Sequence, residues 1–192
     1  MDAYMQRAVE LFREKVGIYQ RRRDEGDAFA SIHLYGDVVA VLKEENPDVV
    51  ATLITLLNDN EASDMHYWIF IAMRGMAQRG ELSHDAMRIV LVHTIFFATG
   101  DYEEWYKSSN ALACSSEGAQ ILLDFAENHL LGKRDVRGWR WFAFQMVGIV
   151  SIRHASLIST SLKDKLKEAM DQETDTKVKR MFQEFLAVIE KS

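Results

Sequence analysis

Cysteine and long apolar runs are scarce in this chain, and each scarcity excludes a class of protein. Cys114 is the only cysteine among 192 residues, so no disulfide can form within the chain, which fits a reducing compartment. The longest apolar run, Ile89 to Ala98, has about half of the roughly 20 residues that a membrane span requires. Charges spread through the first 15 residues also argue against a signal peptide. The sequence therefore predicts a cytoplasmic protein without membrane contact.

Motifs that carry catalysis or bind metal are also missing. No two of the six histidines stand three to five residues apart, and no Gly-x-Ser-x-Gly or phosphate-binding loop occurs. Cys114 lacks the positive sequence neighbours that hold a thiolate, so we predict a small buried residue there. His93 lies in an apolar segment and is predicted to be a core histidine bonded to a backbone carbonyl. We expect a protein that is not an enzyme and that holds no metal or other cofactor.

A surplus of basic residues, which nucleic-acid binding usually requires, is missing too. The net charge is -6, which argues against a nucleic-acid partner and favours a basic protein partner. Hydrophobic residues make up 48% of the chain, enough for one sizeable core. We therefore predict one domain over residues 1–192.

The apolar pattern that is present is helical. Apolar residues recur at three- and four-residue steps, whereas the alternating pattern of strands is missing almost everywhere. This pattern predicts an all-α fold of about ten helices. Aspartates stand at predicted helix starts, where a carboxylate can accept a backbone N–H. These residues are Asp27, Asp64, Asp101, Asp135 and Asp175.

The predicted helix starts recur at a nearly regular interval. The five aspartates are 37, 37, 34 and 40 residues apart. Three tryptophans, Trp68, Trp105 and Trp141, are 37 and 36 residues apart. Ten helices at this interval form about five helix pairs, which is the pattern of a helical repeat protein. An ordinary helix bundle with coincidental spacings is the alternative.

Three segments of the chain resemble the HEAT family of helical repeats. Leu53 to Asp59 resembles the end of a first helix and its turn, and Asp135 to Arg137 and Asp175 to Lys179 resemble second-helix openings. The second and third units depart from the pattern, with Met65-His66 and Glu103-Glu104 in place of Val-Arg. The resemblance implies an α-solenoid of about five HEAT-like helix pairs, wound as a right-handed α-α superhelix.

A concave face lined by the second helices follows from that architecture. Positions between the apolar stripes of these helices are predicted to be exposed and to bind a partner: Glu103, Glu104, Lys107, Asn110, Arg137 and Arg140. The sequence thus predicts a non-catalytic protein-binding module. A bacterial immunity or inhibitor protein that neutralises a basic toxin is the specific version, because acidic proteins bind such toxins fast through electrostatic steering. A regulatory adaptor or scaffold is the alternative.

A second alternative rests on a cluster of basic and aromatic residues. The cluster consists of Lys133, Arg134, Arg137, Trp139, Arg140 and Trp141. Arginine beside indole can hold a phosphate or a base. Some DNA glycosylases for alkylated bases are built on HEAT-like repeats, so the resemblance also implies this activity. The acidic total opposes it, and the competing interpretation places both tryptophans in the core.

Overall fold

Helices form the regular structure of this chain. The computed structural model describes residues 2–97, 102–131 and 137–191. Within these ranges the chain is helical and contains no strand, which confirms the predicted all-α class. None of the described helices is long and apolar enough to cross a bilayer. The α-helices are α1 Ala3–Asp24, α2 Ala40–Glu45, α3 Val49–Leu57, α4 His66–Gln78, α5 His84–Phe97, α6 Tyr102–Leu112, α7 Ser116–Phe125, α8 Arg137–His154, α9 Thr160–Asp171 and α10 Thr176–Lys191.

Four short helical segments of other types interrupt or join the α-helices. Two are π-helical turns, Tyr35–Val39 directly before α2 and Ala126–Leu130 directly after α7. Two are 3-10 helices, Asn60–Met65 and Ala155–Leu157. A π-helical turn holds more residues than an α-helical turn and often occurs at functional positions.

The predicted aspartate caps have different outcomes. Asp175 Oδ1 accepts from the backbone N–H of Lys177 at 2.9 Å and caps α10, as predicted. The prediction for Asp27 is wrong, because its Oδ1 accepts from the N–H of Phe29 at 3.0 Å within a loop. Asp64 lies in the 3-10 helix before α4 and does not cap it. The remaining two, Asp101 and Asp135, lie outside the described residues.

The chain divides into two compact units, residues 1–93 and residues 94–192, called here the first and second unit. The single domain predicted over 1–192 stays a prediction. In the first unit, Phe12 of α1 and Phe70 of α4 are fully buried and form part of its core. The Tyr4 hydroxyl donates to the backbone carbonyl of Leu42 at 2.8 Å and ties α1 to α2.

Helix α8 is the packing centre of the second unit. Phe144 on α8 stacks on Phe182 of α10, with ring centroids 3.9 Å apart and planes 3° from parallel. A Cβ at Gly148 would lie 3.2 Å from the Phe185 ring, so the missing side chain lets α10 approach closely. The apolar stretch Trp139–Val150 predicts a helix covered on several sides, and α8 packs against α6, α7 and α10.

Residues in contact are often 37 or 38 positions apart. In the first unit these pairs are Tyr4–Leu42, Arg7–Glu45 and Lys43–Glu81; in the second they are Trp105–Phe142, Glu127–Lys165, Phe144–Phe182 and Gly148–Phe185. Residue numbers rise together from Trp105–Phe142 to Asn110–Arg153 between α6 and α8. They also rise together from Phe144–Phe182 to Gly148–Phe185 between α8 and α10. Helices α6, α8 and α10 therefore run in the same direction.

Candidate functional site

Three of the six predicted binding residues lie on one side of α6, whereas the prediction that Glu104 is exposed is wrong, because only 13% of its side chain is accessible. Glu103, Lys107 and Asn110 follow one another at helical spacing, and Tyr106 lies among them with 44% of its surface exposed. Lys107 Nζ is 2.5 Å from a Glu103 carboxylate oxygen and 3.8 Å from one of Glu104. Because Glu103 and Lys107 are exposed to solvent, this pair orients side chains more than it stabilises the helix.

Arg153, on α8, adds a residue that the sequence analysis missed. Its Nη1 lies 3.5 Å from Asn110 Oδ1, and the Asn110 side-chain amide donates to the Tyr106 carbonyl at 2.9 Å. Arg153 is exposed and stands 43 positions beyond Asn110, so no local pattern connects the two residues. The structure therefore places an arginine, an amide and an aromatic ring at one surface.

The prediction that Arg140 is exposed is wrong. Only 8% of its surface is accessible, and its Nη1 lies 3.5 Å from the carbonyl oxygen of Ala169 at the end of α9. Arg140 is on the side of α8 that packs against α9, which the sequence pattern does not reveal. The sixth predicted residue, Arg137, begins α8, but its side chain lies outside the described part of the chain.

The structure supports only part of the predicted cluster of basic and aromatic residues as an exposed surface. Lys133 and Arg134 are outside the described residues, and Arg140 is buried. Trp139 and Trp141 are half-buried on α8. The residues that the structure describes therefore do not line an open basic groove.

Exposed apolar side chains of the second unit are concentrated on three helices. Among its described residues, the large apolar side chains that stay exposed are Tyr106 on α6, Ile152 on α8, and Met181 and Val188 on α10. Ile152 is 71% exposed and Val188 is 53% exposed. The described residues of α7 and α9 expose no large apolar side chain. We call this surface the α6–α8–α10 face and define it by these four residues and Arg153.

A second polar cluster lies in the first unit, around Glu81. The Tyr35 hydroxyl donates to Glu81 Oε1 at 2.6 Å, and the Lys43 ammonium pairs with Glu81 Oε2. The Arg79 guanidinium stands 3.9 Å above the Tyr35 ring centroid. Sequence reasoning missed this cluster, because Lys43 and Glu81 are 38 positions apart and resemble ordinary surface charges. Since both carboxylate oxygens are occupied, the cluster holds the turn after α4 in place.

The Lys43–Glu81 ion pair stabilises the fold only in the pH range in which both side chains are charged. Burial raises the pKa of Glu81, but hydrogen bonds from Lys43 and Tyr35 and nearby positive charges outweigh it, so the net pKa falls below 4.5. The hydrogen bond to Glu81 raises the pKa of Lys43 above 10.5, against a smaller opposing effect of burial. The pair is therefore charged, and stabilises the fold, at pH values between the ordinary pKa of glutamate and the ordinary pKa of lysine. Its contribution is lost as the pH falls through the lowered pKa of Glu81 or rises through the raised pKa of Lys43.

Replacing Glu81 by glutamine should lower the free energy of unfolding by about 1 kcal/mol at pH 7. Urea unfolding at pH 7 and pH 3 measures this difference, which should shrink at pH 3 because the contribution of the carboxylate is lost as the pH falls from the ordinary pKa of glutamate through the lowered pKa of Glu81. Glu45→Gln is the matched control, since the Arg7–Glu45 pair has the same spacing but is more exposed. An equal loss at both pH values would mean that shape, and not charge, holds the cluster.

The prediction for the single cysteine is wrong, whereas the backbone contact predicted for His93 is confirmed. Cys114 is exposed, so the prediction of a buried residue is wrong; its thiol lies 3.4 Å from the carbonyl oxygen of Asn110. His93 Nδ1 lies 3.0 Å from the carbonyl oxygen of Ile89, which confirms the predicted backbone contact. No group of three or more metal-ligating side chains comes together in the described ranges.

A polar cavity of about 300 Å³ lies in the first unit. Its lining residues are Gln6, Val9, Glu10, Arg13 and Glu61. The charge of Arg13 is already neutralised by Asp64, whose carboxylate accepts two hydrogen bonds at 2.8 Å. This hydrogen bond from Arg13 lowers the pKa of Asp64 and outweighs the effect of burial. The cavity therefore offers no uncompensated charge on Arg13 to a ligand.

The arrangement on the α6–α8–α10 face suits recognition of another surface. Tyr106 and Arg153 offer an aromatic ring and a guanidinium, and Ile152 offers exposed apolar area on α8. Aromatic and arginine side chains are enriched in protein interfaces. In comparisons with known proteins, no protein-family model, curated protein or solved structure matches this chain.

Proposed function

We propose that this chain is a non-catalytic protein-binding module that docks its partner on the α6–α8–α10 face. The main observation in its support is that, among the described residues of the second unit, all the exposed large apolar side chains lie on these three helices. Exposed apolar patches that are bordered by polar residues are typical of protein interaction sites. Glu103, Lys107 and Asn110 supply that polar border on α6.

A HEAT-like stack of helix pairs is the architecture proposed for this face. Contacts at separations of 37 and 38 residues support it, because stacked repeats bring equivalent positions of successive units together. The common direction of α6, α8 and α10 supports it as well. In such a stack, these would be the second helices of successive pairs, and their outer sides would form one binding surface.

Tyr106 and Arg153 are the proposed anchors of the interface. Tyrosine and arginine dominate binding energies when they are enclosed by a partner, whereas surrounding contacts contribute less. The exposed Glu103–Lys107 ion pair contributes little affinity but helps to fix the orientation of the partner. Arg140 is not an anchor in this proposal, because it is buried.

A basic protein is the proposed partner, and a toxin neutralised by a bacterial immunity or inhibitor protein is the specific version. Residues 1–93 contain ten basic and fifteen acidic residues, whereas residues 94–192 contain thirteen and fourteen. The first unit therefore supplies -5 of the net charge of -6. Long-range attraction by the first unit would raise the association rate, and the α6–α8–α10 face would supply the close contacts. A regulatory adaptor with a basic client fits the same features.

Replacing Tyr106 by alanine should weaken partner binding about 30-fold, and Arg153→Glu should weaken it similarly, because each removes an anchor worth about 2 kcal/mol. The partner is first captured from cells of the source organism with the tagged full chain. Its affinity for each variant is then measured by calorimetry.

Gln120→Ala is the control for both variants, because Gln120 is exposed on α7, which is not one of the three proposed helices. It should change the affinity less than threefold. Equal affinities for all variants would place the interface elsewhere. Release of alkylated bases from DNA by the purified chain would replace the binding proposal with the glycosylase alternative.

A further inference from the structure

Phe29 has the most exposed large apolar side chain among the described residues, with 94% of its surface accessible. It lies in the loop between α1 and the π-helical turn Tyr35–Val39, in the first unit. Its neighbour Ala30 is only 6% exposed, so the loop is anchored directly beside the protruding ring. Burial of a phenylalanine side chain is worth about 1.5–3 kcal/mol, so a partner that encloses this ring would gain apolar burial at one fixed point.

Hydrogen bonds fix the backbone around Phe29. The Asp27 carboxylate accepts from the Phe29 N–H at 3.0 Å, and the Asp27 carbonyl accepts from the Ala30 N–H at 3.1 Å. Gly26 has φ of 92°, which other residues rarely adopt, and turns the chain out of α1. The ring is therefore held outward by a defined turn, and little loop entropy would be lost when a partner encloses it.

Two arginines at the end of α1 also hold this loop, and they differ in their charge balance. Arg22 donates to the Asp27 carboxylate at 2.7 Å and is neutralised by it. Arg23 Nη1 donates to the carbonyl of Ala28 at 2.9 Å, which places its guanidinium beside the residue that precedes Phe29. Within the described ranges no carboxylate pairs with Arg23. A guanidinium has five N–H donors, so Arg23 can still bind a carboxylate while it holds the loop.

From this geometry we propose that Phe29 and Arg23 form a second docking site, which binds a protein offering an apolar pocket with a carboxylate at its rim. The Phe29 ring fills the pocket and Arg23 pairs with the carboxylate. Aromatic residues, phenylalanine among them, and arginine are enriched at protein interfaces. The site lies in the first unit, whereas the α6–α8–α10 face lies in the second.

A protein pocket fits this site better than a lipid surface. The stretch from Arg21 to Asp27 contains three basic and three acidic residues, so its charges cancel. Attraction to anionic lipid requires a basic surplus, at about 1 kcal/mol for each basic residue. A single ring also supplies too little apolar area for stable membrane insertion. One fixed ring beside one uncompensated arginine matches a pocket with one acidic rim.

The first test replaces Phe29 with the photoreactive residue p-benzoylphenylalanine in the full chain and irradiates cells of the source organism. We expect one protein adduct, which excess unlabelled wild-type chain prevents and excess Phe29→Ser does not. Arg23→Glu should compete at least tenfold less effectively than the wild type. The same photoreactive residue at Gln78, exposed at the end of α4, is the control.

Three results of that experiment would overturn the proposal. One is an adduct with lipid alone, and another is the same set of adducts from positions 29 and 78. The third is competition by Phe29→Ser as strong as that of the wild type. Since Phe29 touches solvent on nearly all sides, Phe29→Ser should keep the wild-type melting temperature, so a folding defect does not confuse the outcome.

A defined chemical host tests the recognition itself. Carboxymethyl-β-cyclodextrin has an apolar cavity with carboxylates at its rim, whereas β-cyclodextrin has the same cavity without charge. We expect the charged host to bind the full chain at least threefold more tightly in NMR titrations, with Phe29→Ser abolishing both interactions. Arg23→Gln should remove the advantage of the charged host. Equal binding of the two hosts by the wild type, or binding that does not depend on Phe29, would contradict the proposal.

Discussion

Replacing Phe182 by alanine should lower the free energy of unfolding by about 3–5 kcal/mol, because the ring is fully buried between α8 and α10. The loss includes the stacked contact with Phe144 and the cavity left beside it. Of the total stability of about 5–15 kcal/mol that is usual for a domain, this is a large part. The second unit should therefore unfold at a much lower urea concentration.

Urea titrations monitored by circular dichroism measure the effect, and amide hydrogen exchange assigns it to residues. Val188→Ala is the control on the same helix, since Val188 is 53% exposed and should change stability by less than about 0.5 kcal/mol. If Phe182→Ala were as mild as Val188→Ala, the packing of α10 on α8 described here would be wrong.

Replacing Arg140 by methionine should raise the free energy of unfolding by about 1–3 kcal/mol, which is the opposite sign to most core substitutions. The guanidinium is buried, and among the described residues its Nε has no hydrogen-bond partner and its Nη1 has one, the Ala169 carbonyl at 3.5 Å. Burying a charge with so little compensation is costly. Methionine keeps the length of the side chain and removes the charge.

The melting temperature and the urea midpoint of Arg140→Met report this gain. Arg180→Met is the control, because the Arg180–Glu184 pair is exposed and its loss should change stability by less than about 0.5 kcal/mol. Arg140→Met should also bind the partner as the wild type does, since Arg140 lies outside the proposed interface. A destabilised Arg140→Met, or one that no longer binds, would restore a functional role to this arginine.

Local sequence patterns predict the helices well, because apolar periodicity and capping act over a few residues. The all-α class follows from them, and so does the cap of Asp175 on α10. Asp27 has the same side chain but a different outcome, because Arg22 and the Phe29 N–H compete for its carboxylate. The five-pair solenoid and the binding function stay predictions.

Exposure of single residues depends on packing that no local pattern records. Arg140 resembles a surface residue in sequence, yet the end of α9 covers it. Phe29 resembles a core residue, yet the turn at Asp27 holds it in solvent. Of the candidate binding residues on α6, Glu103, Lys107 and Asn110 could be found because one side of the helix carries these three, whereas packing covers most of the Glu104 side chain. Arg153 could not, because it meets Asn110 only through the packing of α8 on α6.

The π-helical turns Tyr35–Val39 and Ala126–Leu130 have a consequence for how the chain length of this protein can change. One residue added to an α-helix rotates every later side chain by about 100°, which would turn a buried stripe toward solvent. A widened turn takes up the added residue locally, so the positions on both sides keep their partners. Single-residue insertions can thus be absorbed inside helices and not only in loops. The buried side chains then keep their packing partners although the number of residues between them changes.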